Sequence, residues 1–460
     1  LEEGIFKGCE NLEQLYLDGN NLTTIPTMSL KGPKSLRVLS LSGNNIGGQK
    51  KRLLLGAYNL LQLDLSTNFL REFPSDALRH LTRLISLDLS GNRLTRIPPE
   101  TFDYLSSVID LDISRTDLNV LPSILFRNLD SLERISIAGN RLERIERATF
   151  DRLVNLSRID LSGNLIERVE NEAFVGLTNL YELNLRGNRL ASFSGEHFDT
   201  GTGLEYLDLS SNRIDRLSPT AFAIHPRLRE LDLSDNRFLH FPSDYLKPLQ
   251  FLEWLNLSGN ELRSVDEFSF SQLIRLRTLN LAANRIESLN ELAFHNSTQL
   301  QLLDLSGNEI EALSERTMEG LLRLEHLNLR NNRLNSLPET IFDPTQEVAS
   351  NVKELDLSDN PLSANAIKGI LGEAKILRSL NLANTGINRL TVRLETPFLK
   401  RLNLSRNDLT ELKATTLERA TMLETLDVSR NRLSDFSNMN QTFQALPALR
   451  WLDVSNNHVK

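Results

Sequence analysis

Aspartates recur at one position of a regular pattern, and they are the side chains of this chain best suited to binding a charged ligand. A row of carboxylates on one face would suit a basic partner or calcium. Calcium prefers six or more oxygens that converge on one point, and carboxylates supplied one per strand do not converge. We therefore predict a solvated polar face that protects a sheet, with a basic partner as the alternative and no metal site. The ten aspartates are Asp64, Asp88, Asp112, Asp160, Asp208, Asp232, Asp304, Asp356, Asp427 and Asp453, and six further copies have asparagine at this position.

The position two residues before these aspartates varies, and it holds large side chains in the middle of the chain. Large solvent-facing aromatic side chains are enriched at the hot spots of protein interfaces, and Trp254 is expected to face solvent here. An apolar centre with an acidic rim predicts a protein-docking patch. The competing interpretation is an isolated tryptophan that lies flat on a sheet. The candidate protein-binding residues are Tyr206, Glu230, Trp254, Leu302 and His326.

The sequence lacks motifs of catalysis and of cofactor binding. It contains no GxSxG, HExxH, CxxC or glycine-rich phosphate-binding loop, and its seven histidines lack the spacing of metal ligands. The formal net charge is −8, which argues against a nucleic-acid partner because phosphates are bound by a basic face. No apolar run approaches the roughly 20 residues of a membrane helix. We predict a non-enzymatic protein without cofactor or metal, whose partners are proteins and which meets a membrane only through an anchor outside this segment.

The unit that positions these residues reads LxxLxLxxN, and we call its last residue the ladder residue. From Asn20 to Asn332 the ladder residues follow one another at a 24-residue step. Alternation of leucine with polar residues predicts a strand with one buried face, and the fixed period predicts a solenoid with one parallel strand per turn. An amide side chain both donates and accepts, so we expect the ladder residues to bond backbone of their own and neighbouring turns. At Thr116 and Thr385, where threonine replaces asparagine, we expect local loosening without a break.

Phenylalanine recurs ten residues after the ladder residue, and stacked rings in adjacent turns predict core packing on the side opposite the sheet. Helix there is expected to be short, with helical turns at 75–80 and 364–371. The phenylalanines are Phe102, Phe126, Phe150, Phe174, Phe198, Phe222, Phe270, Phe294 and Phe342.

The repeats run without a linker, so we predict a single domain over residues 1–460 with about nineteen repeats. Residues 333–407 are irregular because the ladder steps there are 28, 25 and 22 residues, and 343–347 form a bulge that is either a change in curvature, a partner loop or simple drift of the repeat. Both ends lack caps, which predicts an uncapped segment of a longer chain. The single cysteine, Cys9, is expected to be buried or partly buried.

The full pattern LxxLxLxxNxLxxLPxxxFxxLxx, as in residues 84–105, resembles the typical subfamily of extracellular leucine-rich repeats. An uninterrupted array without internal cysteine caps is most similar to chaoptin-like and artichoke-like adhesion and matrix proteins. The resemblance implies a leucine-rich repeat solenoid of the α/β class, a horseshoe with a continuous parallel β-sheet on its concave face and an irregular convex side with little helix. It also implies a protein partner at the cell surface or in the matrix, including a second copy of the same protein.

Sequons for N-glycosylation fit an extracellular location. The repeat itself generates Leu-Asn-Leu-Ser, so Asn256 and Asn403 are partly by-products of the pattern. The better candidate acceptors lie outside the strands: Asn21, Asn155, Asn296 and Asn440. We predict an extracellular scaffold for cell adhesion or matrix recognition, with the ectodomain of a Toll-like or hormone-type signalling receptor as the alternative. An intracellular scaffold would require the sequons to be accidental.

Overall fold

Three-residue strands, one per repeat, build parallel sheets in the computed structural model of the chain. The structure describes residues 1–26, 29–47, 54–198, 202–338, 351–373, 375–390, 393–434 and 439–458. Contacts divide the chain into two units, Leu1–Leu228 and Arg229–Lys460, which we call the first and second units. In both, the leucines of LxxLxLxxN are buried in all repeats except the first and the last, and the residues between them face outward. The predicted parallel solenoid with little helix is confirmed.

The sheet of the first unit pairs equivalent residues of successive repeats. Leu63, for example, lies opposite Leu39 on one side and Leu87 on the other. A one-residue slip would turn the buried leucines out to solvent, so the 24-residue period fixes this register. Its strands are Gln14–Tyr16, Val38–Ser40, Gln62–Asp64, Ser86–Asp88, Asp110–Asp112, Arg134–Ser136, Arg158–Asp160, Glu182–Asn184 and Tyr206–Asp208.

The sheet of the second unit keeps the same register through the uneven steps. Leu355 lies opposite Leu327 across the 28-residue step and opposite Leu380 across the 25-residue step. The proposed bulge at 343–347 and Phe342 lie outside the described residues. The strands are Glu230–Asp232, Trp254–Asn256, Thr278–Asn280, Leu302–Asp304, His326–Asn328, Glu354–Asp356, Ser379–Asn381, Arg401–Asn403, Thr425–Asp427 and Trp451–Asp453.

Turns and short elements form the side opposite each sheet. The predicted helical turns are present, and the one in the irregular repeats extends to ten residues. The helices are Ser75–Leu78, Ser243–Leu246, Ala364–Glu373, Ala414–Leu417 and Met439–Gln444, with a 3₁₀ turn at Gly195–His197. Two-residue parallel pairs join Arg144–Ile145 to Arg168–Val169, Ser192–Phe193 to Arg216–Leu217, and Ser264–Val265 to Ser288–Leu289.

Stacked phenylalanines fill the core on this side, as the sequence predicts. The rings of Phe126 and Phe150 lie 5.8 Å apart and 4° from parallel, and those of Phe270 and Phe294 lie 5.4 Å apart and 9° from parallel. All four side chains are at most 1 % exposed. Because adjacent turns bring one ring onto the next, the column is a structural core.

Each buried ladder asparagine ties its turn to the preceding one. Asn164 Nδ2 donates to the carbonyl oxygens of Leu161 in its own turn and Ile137 in the preceding turn, both at 3.0 Å. Its Oδ1 accepts the amide of Leu142 at 3.1 Å. The predicted role of this column is therefore confirmed.

Threonine performs only part of this role. Thr116 Oγ1 lies 2.8 Å from the Ile113 carbonyl oxygen and 3.0 Å from Asn140 Oδ1, and the side chain is fully buried. A hydroxyl has one proton, so it donates either to a carbonyl oxygen of its own turn or to the asparagine of the following turn. It does not make the bond to the preceding turn that an asparagine amide makes. The sheet pairs normally on both sides of this turn, so the expectation of no break holds.

The residue before each ladder residue has left-handed backbone in all nineteen copies, with φ between 51° and 66°. This turns the chain sharply out of the strand. Eight copies use glycine, for which a positive φ carries no steric penalty. The other eleven use residues with a side chain, including the β-branched Thr67 at φ 51°.

Replacing Thr67 with glycine is expected to raise the free energy of unfolding by about 0.5–1 kcal/mol, because a β-branched residue is strained in left-handed backbone. Gly163→Ala is the matched control, since an added Cβ would meet Gly139 at 3.6 Å without a clash and would test conformation alone. We expect that variant to lose about 1 kcal/mol. Urea denaturation followed by circular dichroism measures both, and a less stable Thr67→Gly protein would contradict the argument.

Cys9 differs from expectation because it is an exposed free thiol. It lies in the turn before the first strand, outside the buried leucine positions.

Candidate protein-binding face

Four of the five candidate residues lie in one row on the sheet of the second unit. Glu230 is opposite Trp254, and Thr278 separates Trp254 from Leu302, which is opposite His326. All occupy the first position of their strands, so neighbouring side chains stand about 4.8 Å apart. The sequence thus identified a continuous row of side chains.

Tyr206 occupies the same strand position in the first unit. Its ring lies 4.9 Å from that of Tyr181, at 57°. It is half-buried. We therefore describe it with the first unit and not with the row formed by the other four candidate residues.

Trp254 lies at an outward position of its strand and is half-buried, so its indole is partly exposed to solvent. Leu302 and His326 are also half-buried, and Glu230 is exposed. Side chains at the same position of both neighbouring strands flank the indole, and this flanking reduces the exposure of a wide ring. The remaining surface is amphipathic, which suits an interface centre.

Beyond Leu302 the row becomes polar. His326 Nδ1 lies 3.1 Å from Glu354 Oε2, and Glu354 Oε1 accepts from Arg401 Nη2 at 2.7 Å. Arg401 thereby reaches across Ser379, the first residue of the intervening strand. The patch predicted from the sequence extends only to His326. Glu354 and Arg401 occupy the same first strand position in strands further along the sheet and were not included.

A shallow depression of about 340 Å³ lies on this part of the sheet. Leu302, His326, Glu354 and Ser379 line one side, and Asp304 and Asp356 are among the residues of the other. It therefore combines an apolar end, an ion-paired side and a carboxylate side, and it suits a polar or basic side chain from a partner.

The aspartate column has a structural role that sequence reasoning missed. The Oδ1 of each of its ten aspartates accepts the backbone amide two residues later at 2.8–2.9 Å. The six asparagines at this position make the same bond at 2.9–3.2 Å. This Asx turn ends the strand and needs only an acceptor oxygen, so aspartate and asparagine interchange. The predicted polar face is therefore also a row of turn caps.

Carboxylates accumulate on the first unit's face. The pKa of Asp88 lies above its ordinary value, first because of burial and then because of repulsion from Asp112 and Asp64, while hydrogen bonds from Ser90 act in the opposite direction. Each of the three aspartates has one oxygen on its own turn. The three aspartates lie side by side in paired strands and form an acidic edge.

Beside this edge lies a second depression, of about 370 Å³, which sequence reasoning also missed. Arg134 and Arg158 are opposite each other in its floor. Arg134 Nη2 bonds Asp110 Oδ2 at 2.7 Å, and Arg158 Nε lies 3.4 Å from Glu182 Oε2. The row is charge-balanced, so its arginines are largely neutralised before any ligand arrives. Reading the first strand position across these repeats would have revealed it.

The sequons lie in loops, in strands and in one helix. Asn21, Asn155 and Asn296 are exposed, while Asn256 and Asn403 are half-buried in strands with their Oδ1 atoms bonded. Asn440 lies in the helix Met439–Gln444.

Comparison with known proteins identifies the family. The leucine-rich repeat profile matches residues 1–46, 82–142, 130–190, 178–238, 226–286, 274–334 and 397–459, which is well over half of the chain. The chain belongs to the leucine-rich repeat family. Leucine-rich repeat proteins are typically non-enzymatic scaffolds for protein interaction. None of the curated proteins matches the chain significantly.

Solved leucine-rich repeat structures share the fold. A protein from Leptospira interrogans is 27% identical over 85% of this chain and 95% of that one, with a TM-score of 0.70. Drosophila Toll, in the glycosylated Toll–Spatzle complex, is 23% identical over 93% of this chain, with a TM-score of 0.77. The match spans only 59% of the Toll chain.

One neighbour corrects the exclusion of nucleic acid. TLR13, solved in complex with ssRNA13, is 21% identical over the whole of this chain and 83% of that one, with a TM-score of 0.58. A leucine-rich repeat fold therefore holds RNA in at least one protein, and an argument from net charge alone was too broad.

No helix in the described ranges is both long and apolar enough to cross a bilayer. Histidine, cysteine, aspartate and glutamate side chains form no cluster of three suited to a metal ion in that part of the chain.

Proposed function

We propose that the chain is an extracellular, non-enzymatic scaffold that binds proteins for cell adhesion or matrix recognition. The observation that carries the proposal is the row Glu230, Trp254, Leu302 and His326, where an apolar centre adjoins the polar pair of Glu354 and Arg401. Protein interfaces combine such a centre with a polar rim. Exposed sequons at Asn21 and Asn155 support the extracellular location.

Adhesion is drawn from the resemblance of the repeats to chaoptin-like and artichoke-like arrays. A signalling receptor ectodomain is the second candidate, and the shared fold with Toll and with the plant peptide hormone receptor RGFR1 favours it. The two differ in what they bind. An adhesion protein aggregates cells that display it, whereas a receptor ectodomain captures a soluble protein without aggregating cells.

Replacing Trp254 with glutamate is expected to weaken partner binding at least about tenfold, because a charge at the centre of a half-buried apolar patch opposes docking. The variant should remain folded, since the indole is only half-buried. The measurements are aggregation of cells that display the protein and binding of the secreted protein to cells and matrix. A mass decrease of the secreted protein after glycosidase treatment checks that the sequons are used.

Trp451→Glu is the matched control. Trp451 occupies the same strand position but is 48 % exposed and lies on another strand. Wild-type binding by Trp254→Glu would remove the interface from this row. Failure of the wild-type protein to bind cells, matrix or a soluble protein would end the proposal as a whole.

A further inference from the structure

Three successive turns of the second unit expose an apolar side chain at one equivalent position. Ile376, Phe398 and Met422 are 37 %, 52 % and 42 % exposed. Each precedes by three residues the first residue of its strand, and the three strands pair in register. The side chains therefore form a contiguous row, which we call the entrance strip.

This position is polar in most other turns, and in several of them an asparagine there has a structural role. Asn59 Nδ2 donates to the Lys34 carbonyl oxygen of the preceding turn at 2.9 Å, and Asn155 and Asn179 make the equivalent bonds at 2.9 and 2.8 Å. Apolar side chains cannot donate, so the entrance strip gives up these bonds and also leaves apolar surface in water. Both changes lower stability, and a bound partner would account for them.

A basic border runs beside the strip, two residues further along each turn and beyond a buried leucine. Its members Arg378, Lys400, Glu424 and Arg450 are joined in sequence by backbone bonds of 2.8 Å. Glu424 is shared by Lys400 Nζ at 3.0 Å and Arg450 Nη1 at 4.0 Å. The three cations are exposed, in a chain whose net charge is −8. The border therefore favours an acidic partner.

The spacing of the strip selects the partner's conformation. Successive turns are about 4.8 Å apart, and a helix advances about 5.4 Å per turn. A helix lying across three repeats would place one turn on each, with an accumulated mismatch of about 1 Å. Same-side residues of an extended strand are about 6.6 Å apart and lose register sooner. We propose that the entrance strip binds an acidic amphipathic helix of a partner protein.

The test is fluorescence anisotropy with a labelled 18-residue peptide that carries leucine at the i, i+4, i+7 and i+11 positions and glutamate beside them. We expect saturable binding to the full chain. Phe398→Asn should weaken binding at least about tenfold, and it restores the residue type that other turns use. Lys400→Glu should also weaken binding, because it reverses the border's charge. Circular dichroism checks that both variants are folded.

Phe251→Asn is the matched control and should bind as the wild type does. Phe251 occupies the equivalent position but stands apart from the strip, with the Arg275 guanidinium 4.4 Å from its ring centre. Equal binding by Phe398→Asn, equal binding of a peptide with lysine in place of glutamate, or no binding would each overturn the proposal. So would a dimer of the full chain that Phe398→Asn dissolves. The Trp254→Glu variant should keep its affinity for the peptide, so this proposal and the proposed function fail separately.

Discussion

Replacing Asn164 with alanine is expected to lower the free energy of unfolding by about 3–5 kcal/mol. The side chain is 3 % exposed, and it bonds the carbonyl oxygens of Leu161 and Ile137 and the amide of Leu142. Each buried backbone group left without a partner costs about 1–3 kcal/mol. Because the bonds reach two turns, the loss weakens the contact between neighbours on which a solenoid depends. Urea denaturation followed by circular dichroism measures the effect.

Asn20→Ala is the control for this prediction. Asn20 is exposed, and its Nδ2 donates within its own turn, to Leu17 at 2.9 Å and Asp18 at 3.2 Å. We expect a loss below about 1 kcal/mol. Asn164→Thr should fall between the two, because Thr116 shows that a hydroxyl keeps the bond within the turn. Equal losses for Asn164→Ala and Asn20→Ala would show that burial of the ladder residue is unimportant.

Acidification is expected to destabilise the first unit through two buried histidines. Burial lowers the pKa of both His197 and His225 from 6.5 to about 4. Below pH 6.5 the unfolded chain takes up protons at these residues and the folded chain does not until about pH 4. The free energy of unfolding therefore falls as pH decreases through this window, by up to about 3 kcal/mol per histidine.

His225 offers the direct test. It is fully buried, its Nδ1 lies 3.0 Å from Thr202 Oγ1, and its Nε2 lacks a hydrogen-bond partner within the described part of the chain. The equivalent position is a buried leucine in other turns, such as Leu177 and Leu249. His225→Leu should therefore stabilise the protein at pH 5 and flatten the dependence of stability on pH.

Denaturation midpoints between pH 4.5 and 7 measure this dependence. His80→Leu is the control, because His80 is exposed and contacts Tyr58 only edge to face, at 6.0 Å between ring centres. We expect its slope to match the wild type. An unchanged slope in His225→Leu would assign the acid sensitivity to carboxylates.

Most of the fold could be predicted from the sequence because the same pattern of inward-facing residues recurs in all nineteen repeats. The strands, their register and the asparagine ladder follow from leucine spacing and from the two-sided hydrogen bonding of an amide. The helix Ala364–Glu373 was expected to end at Leu371 and extends two residues further. Element ends depend on single bonds, which a repeat pattern does not specify.

Features with mixed residue types were harder to predict. The left-handed position holds glycine, Thr67, Arg115 and Ala283 among others, so no residue type reveals it. The Asx turn was missed because a solvated face and a row of turn caps have the same composition. His225 left a signal in the sequence, because it is a histidine at a position that is leucine in other turns.

The candidate site was only partly predictable. Trp254, Leu302 and His326 were proposed because large side chains in a variable column are conspicuous. Arg134 and Arg158 were not found, since charged residues on a solvated face are common. Their significance depends on their pairing with Asp110 and Glu182 across strands, and such pairing becomes visible only when the turns are stacked.

Three aspartates of the Asx column, Asp64, Asp88 and Asp112, lie in consecutive strands of the first unit, and this has a consequence for recognition. A cation docked on one of them would find an equivalent acceptor about 4.8 Å away, so a ligand that contacted these three residues alone could shift by one repeat with little change in energy. These aspartates would bind a partner without fixing its position along the sheet. The non-repeating first position, with Ser86 in one of these strands and Asp110 in the next, breaks this translational degeneracy. Affinity and placement are thus assigned to separate columns of the same face.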